Sequence, residues 1–235
     1  MASLTPSPQI PASRPEIIQS LIDGVDRYNP DNVSILEDYL TTQLQNEEYD
    51  LMANLAILKL YQFNPHLVNE QVIITILVKA LTAIPNPDFN LCLYLLHENS
   101  FEDEQIGKLI FLQQLLEQSR YEQFWEEYEK DDTYRELTSE AVGFENAIRK
   151  VIATAISISY QSISADLLQA YFNLGSAAGE PDEEFLAFIK SLGWTESNGI
   201  VHIPVNKDNE AKPTVIRENI KFEQLTKVIG YSNEL

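Results

Sequence analysis

The chain has 235 residues, 44% of them hydrophobic, and a formal net charge of -20 at pH 7. That apolar content excludes global disorder, and the charge excludes phosphate backbones and anionic membranes as principal partners, because like charges repel at long range. Cys92 is the only cysteine, which leaves no internal disulfide and no zinc cluster of the usual kind.

The opening residues, "MASLTPSPQIPASRPE", hold Pro6, Pro8, Pro11 and Pro15 and lack the apolar run of a secretion signal. They predict a flexible tail over 1–15 and, with the lone cysteine, a soluble intracellular protein. The longest oily run, "VIITILVKALTAI", is broken by Lys79 and is too short to span a bilayer, so no membrane partner is expected.

Helical periodicity then dominates, and residues 16–140 are expected to form a helical repeat domain. In "DRYNPDNVSILEDYL", Asn29 can cap, Pro30 fits a first turn, and Val33, Leu36 and Leu40 follow at helical spacing. "DLMANLAILKLYQFNP" is apolar around almost its whole circumference and must stop before Pro65. Asn69 heads the next helix, "DFNLCLYLLHE" follows "PNP", and Ser100 is placed to cap "EDEQIGKLIFLQQLLEQ". "RYEQFWEEYEK" closes the series with Tyr121, Phe124, Trp125 and Tyr128 on one side. Starts near residues 31, 69 and 104 are 35 to 38 residues apart, each opening a helix pair, which suits an array of HEAT-like helical hairpins. In such a stack an inner helix contacts its own partner and the next repeat, so the oily helix 51–63 is expected as the spine. The segment Glu98–Glu140 carries 13 acids against four cations and reads as a solvated face.

Beyond residue 140 the pattern changes, and residues 141–210 are expected to form a winged-helix domain. "GFENAIRKVIATAISISY" and "SISADLLQAYFNL" read as helices, the second capped by Ser162 or Ser164. "PDEEFLAFIKSL" is a third, with Pro181 in its first turn. "GWTESNGIVHIPV" reads as a β-hairpin turning at Asn198-Gly199. "NKDNEAKPT" is a loop, and 211–235 form an amphipathic last helix and tail.

Catalytic chemistry is not expected. His66, His97 and His202 are far apart, Cys92 lies in an apolar run as an inert core thiol, and "GSAAGE" lacks the Lys-Ser/Thr ending of a phosphate loop. No metal and no cofactor is predicted. Nor does the wing suit a nucleic acid: its third helix opens with Asp182, Glu183 and Glu184, and no Lys or Arg occurs from Gly193 to Asn206. A protein interface fits better. Ile200, Val201, His202 and Ile203 are predicted as an edge strand open to β-augmentation, and Phe222, Leu225, Val228 and Ile229 as an apolar helix face for a partner. Trp194 is expected in the core.

Helical hairpins followed by a winged helix is the plan of PCI-type subunits, found in the proteasome lid, the signalosome and a translation initiation factor. "GVDRYNPDNVSILEDYL", "YDLMANLAILKLYQFNP", "DFNLC" and "GFENAIRKVI" closely resemble the k-subunit family of eukaryotic translation initiation factor three. "SISYQ", "GWTESNGIVHI" and "KPTVIRENIKFEQL" continue the resemblance to near the C-terminus. The Pro/Ser-rich start, the polar stretch Asp131–Glu140 and the tail depart from it. The resemblance implies a cytoplasmic, non-catalytic subunit of a scaffold that reaches the small ribosomal subunit through its complex. It implies pairing with the l subunit and other PCI-type subunits, through adjoining winged helices and C-terminal helices. A lid or signalosome scaffold, or an independent nucleic-acid-binding winged-helix protein, are the alternatives.

Overall fold

A computed structural model describes residues 10, 11, 13–175, 183–211 and 222–232; the side chains of 222, 224, 227 and 228 lie outside the description, as does the expected first turn at Pro181. The protein is mainly α-helical, an array of helical hairpins followed by a winged-helix module with one small antiparallel sheet.

Helix α1 (Glu16–Asp23) leads through two short 3-10 turns into three successive hairpins. These are α2 (Val33–Gln45) with α3 (Leu51–Phe63), α4 (Glu70–Leu81) with the short α5 (Asp88–Leu93), and α6 (Glu104–Glu117) with α7 (Tyr121–Lys130). Polar caps set the starts, at Asn29 and Asn69 as the sequence suggests: Asn29 accepts from the Asp31 amide ahead of α2 and Asn69 from that of Gln71, while Asp50, not singled out in the sequence, accepts from that of Ala53. One cap differs: Asp103, not Ser100, caps α6, accepting from Gln105 and Ile106, while Ser100 sits within a separate 3-10 turn over Glu98–Glu102.

The nearly all-apolar α3 is the spine. It touches α1, α2, α4 and α5, and Ala53, Ala56, Ile57, Leu58, Leu60 and Tyr61 are buried around it. Helix α4 goes further, because every residue from Ile73 to Leu81 is buried, Thr75 and Lys79 included. Beneath α5 the Cys92 thiol is fully buried; burial pushes its pKa up to about 12.

Asp50 does more than cap α3. Arg14, which falls in the segment expected as a tail, grips its carboxylate with two guanidinium nitrogens, Nε to Oδ2 and Nη2 to Oδ1, both at 2.6 Å. Both side chains are almost wholly buried, at 3% and 0% exposure. The Tyr39 hydroxyl donates to the same carboxylate at 3.2 Å, and the Gln43 side chain accepts from the Asp50 amide at 2.8 Å. A bidentate guanidinium–carboxylate pair with its remaining lone pairs satisfied is the geometry in which a buried ion pair holds. It pins the chain just ahead of α1 onto the first hairpin.

Helix α8 (Asp132–Thr138) leads into the second module, whose order is α9 (Phe144–Ser159), β1 (Ser162–Ser164), α10 (Ala165–Phe172), α11 (Glu183–Ser191), β2 (Thr195–Ser197) and β3 (Ile200–His202). Gly143, at φ +70°, heads α9; a Cβ there would lie 3.1 Å from the Glu47 carboxylate, in a backbone region that side chains disfavour. Asn198 and Gly199 turn the hairpin at φ 54° and 76°. A last helix, α12, runs from Phe222 to Ser232.

Candidate partner interface

The sheet corrects one expectation. Its strand order is β1-β3-β2, so β3 lies in the middle, paired with Ser162–Ser164 on one side and Thr195–Ser197 on the other. The segment Ile200–Ile203 is therefore not an edge open to β-augmentation. Ser162–Ser164 is the strand that covers it; Ser164 also stands at the expected N-cap position of α10, but its side chain makes no capping hydrogen bond. The Ala165 amide, the first of α10, donates to the Gly199 carbonyl at 2.9 Å and ties the helix start to the wing turn.

The pleat then divides the predicted residues. Val201 and Ile203 point inward and are buried with Ile163, Phe172, Phe185 and Trp194, so Trp194 is a core residue as expected. Ile200, 44% exposed, and His202 face out. On that outer face, His202 lies between Ser162 and Thr195, and Ile200 between Ser164 and Ser197. The His202 Nε2 and Ser197 Oγ are 3.1 Å apart. The exposed sheet face thus carries hydroxyls, one imidazole and one isoleucine but no carboxylate, on a chain of net charge -20. The Glu196 carboxylate turns away to accept from the Gly199 amide at 2.8 Å.

The last helix offers the other predicted surface. Leu225 and Ile229, one turn apart, are 41% and 54% exposed. Phe222 and Val228 are the two predicted residues whose side chains lie outside the description. Sequence reasoning missed Tyr231 on the same helix, which is exposed; an aromatic near an amphipathic helix end was the available signal.

The module is held at a defined place on the array. Trp125 Nε1 of α7 donates to the Tyr171 carbonyl at 2.9 Å, while within the module Arg149 Nε of α9 donates to the Phe172 carbonyl of α10 at 3.0 Å. The Arg149 guanidinium lies 5.5 Å from the centre of the Trp125 ring, and the Tyr121 and Tyr171 rings meet edge to face at 5.4 Å. On the wing side, Asn209 Nδ2 donates to the Ser157 and Tyr160 carbonyls, closing the segment expected as a loop against the end of α9. Among the described residues, no group of three or more His, Cys, Asp or Glu is placed to hold a metal ion, and no helix is long and apolar enough to cross a membrane.

Comparison with known proteins agrees with this architecture. The sequence model of the CSN8/PSMD8/EIF3K family matches residues 67–215. The chain is 42% identical over 238 residues to eukaryotic translation initiation factor 3 subunit K of Botryotinia fuckeliana, covering 94% of this chain and 95% of that protein. It is 41% identical to the protein of that name from Phaeosphaeria nodorum, over 94% and 95% of the two chains. For the one from Yarrowia lipolytica the identity is 38%, over 95% and 97%. Such likeness runs through the hairpin array, the joint and the winged helix alike, and the chain belongs to the subunit K family of eukaryotic translation initiation factor 3, within the wider CSN8/PSMD8/EIF3K family.

Proposed function

We propose that this protein is a non-catalytic subunit of the cytoplasmic eukaryotic translation initiation factor 3 complex, a protein–protein scaffold supporting pre-initiation assembly on the small ribosomal subunit. The observation that carries this reading is end-to-end similarity to relatives of that name, with nearly the whole length covered on both sides. Its partners are other subunits of the complex, especially the l subunit and other PCI-type subunits, and it reaches the ribosome through them. Direct nucleic-acid binding is not part of the reading: Glu183 and Glu184 stand exposed at the start of α11, where a DNA-reading helix would carry cations.

The contact surfaces are the outer face of the sheet, with Ile200 and His202, and α12 through the exposed Leu225 and Ile229, to which the sequence adds Phe222 and Val228, whose side chains lie outside the description. Exposed leucine and isoleucine one turn apart give that helix a reason to be covered in an assembly. Val201 and Ile203 support the sheet face from beneath.

Affinity purification of the tagged full chain from cytoplasmic extract, with nuclease present, tests the reading. The other initiation-factor subunits should be recovered, with an l-type partner in near-equal amount. Recovery of proteasome-lid or signalosome subunits, or of the protein alone, would overturn it. The variant Leu225→Glu/Ile229→Glu should lose those subunits while keeping the parent's melting temperature, since both side chains are already solvent-exposed. Full retention by this variant would exclude α12 as the contact.

A further inference from the structure

Lys79 is out of place in α4. It is 5% exposed, in a run where its neighbours are apolar or a threonine. Its ammonium makes no ion pair or hydrogen bond with any described residue. Glu47 and Glu48 act on it only through space, and Glu48 is itself engaged by the Ser13 hydroxyl. Burial pushes the Lys79 pKa below its usual range against the pull of those two carboxylates. A largely desolvated ammonium without a protein acceptor is costly, and its N–H donors are left to whatever fills the space beside it.

The side chain lines a cavity of about 310 Å³ between the α2–α3 loop, the C-terminal end of α4 and the start of α9. Ile84, Val142, Phe144 and Val151 supply apolar walls, and the exposed Lys150 adds a second ammonium. Among the lining residues two ammonium groups face one carboxylate, Glu47, on a strongly acidic chain, with Glu48 close enough to act on Lys79 from outside the lining. The hydroxyls of Thr82 and Thr154 donate to the carbonyls of Lys79 and Lys150, at 2.7 and 2.8 Å. They are thereby committed as donors to their own helices, which leaves two donors at the space, the Lys79 ammonium and the buried Tyr49 hydroxyl, which has no hydrogen-bond partner among the described residues.

We infer that this cavity binds a carboxylate carried on a small apolar body, the Lys79 ammonium holding the carboxylate and Lys150 drawing it in from solvent. The apolar walls take the body of the ligand, and the single negative charge suits a lining that already holds Glu47. A phosphate dianion would meet both the apolar walls and that carboxylate. The inference stands apart from membership of any complex, because it concerns a site formed wholly within this chain.

The test is thermal unfolding of the full chain with N-acetyl-leucine and with its neutral amide. At a concentration about tenfold above Kd, the acid should raise Tm by about 3–5 °C, and the amide should leave it unchanged. Lys79→Met keeps much of the side-chain volume and removes a buried unpaired charge, so it should fold with Tm at or above the parent and lose the response. Lys150→Ala, at an exposed position, should weaken the response without abolishing it. A short peptide ending in leucine, as acid and as amide, repeats the comparison for a chain terminus rather than a free acid; a response to either acid supports the site. No response to any acid, an equal response in Lys79→Met, or an equal rise with inorganic phosphate would overturn it.

Discussion

In the helical array, Ile57, Leu60, Ile76 and Leu77 are buried by helices that follow one another directly in sequence. In the winged-helix module, Val201 is buried just as completely, but only because β1 crosses to it from before α10 and α11. The first arrangement assembles from local contacts, hairpin by hairpin; the second depends on a pairing of high sequence separation. Local order therefore belongs to the array and closure to the wing. What joins them is a short list of specific contacts: Trp125 of α7 donates to the Tyr171 carbonyl of α10 and carries the Arg149 guanidinium of α9 over its ring, while Tyr121 meets Tyr171.

The strongest way to break this comparison is Val201→Asp. An uncompensated carboxylate beneath the sheet should cost about 4 kcal/mol or more, measured by urea unfolding. Cys92 reports whether the array feels it, because its buried thiol should react with iodoacetamide only when the array opens. One continuous core runs through both modules, so Val201→Asp should speed Cys92 labelling in step with the loss of stability. Labelling at the parental rate alongside a lost wing would show two independently unfolding units.

Asp50→Ala attacks the array end. It strands the buried Arg14 guanidinium and removes the α3 cap, and should cost about 3–5 kcal/mol in the same urea experiment. The smallest effect, and the most informative about the joint, is expected from Trp125→Phe. Leaving the Tyr171 carbonyl without its donor should cost about 1–2 kcal/mol. It should also separate the unfolding of the wing from that of the array, seen as a broadened urea transition.

The array was the more legible half for a physical reason. Helices announce themselves through local spacing, and the caps at Asn29 and Asn69 sit beside the turns they serve. Ser100 misled because Asp103, three residues on, is a better acceptor at the true start of α6. β1 was illegible because "SIS" holds one apolar residue, Ile163, and a serine before "ADLL" resembles a helix cap. Missing it turned the central strand of the sheet into an apparent edge and made Val201 and Ile203 look available to partners. The Arg14 anchor was hidden too: nothing in a proline-rich opening marks one arginine as the mate of a carboxylate in the next hairpin.

The middle position of β3 also bears on the order in which a nascent chain can fold. Synthesis runs from the N-terminus, so each hairpin of the array can close soon after its second helix is made. β1 must instead wait, unpaired, while α10, α11 and β2 are added, because its only partner is the last strand of the module. Until then Ile163 has no strand to pair with and α10 no wing turn to receive its first amide. Completion of Ile200–Ile203 is thus the step at which the second module, and the face it presents to other chains, comes into being.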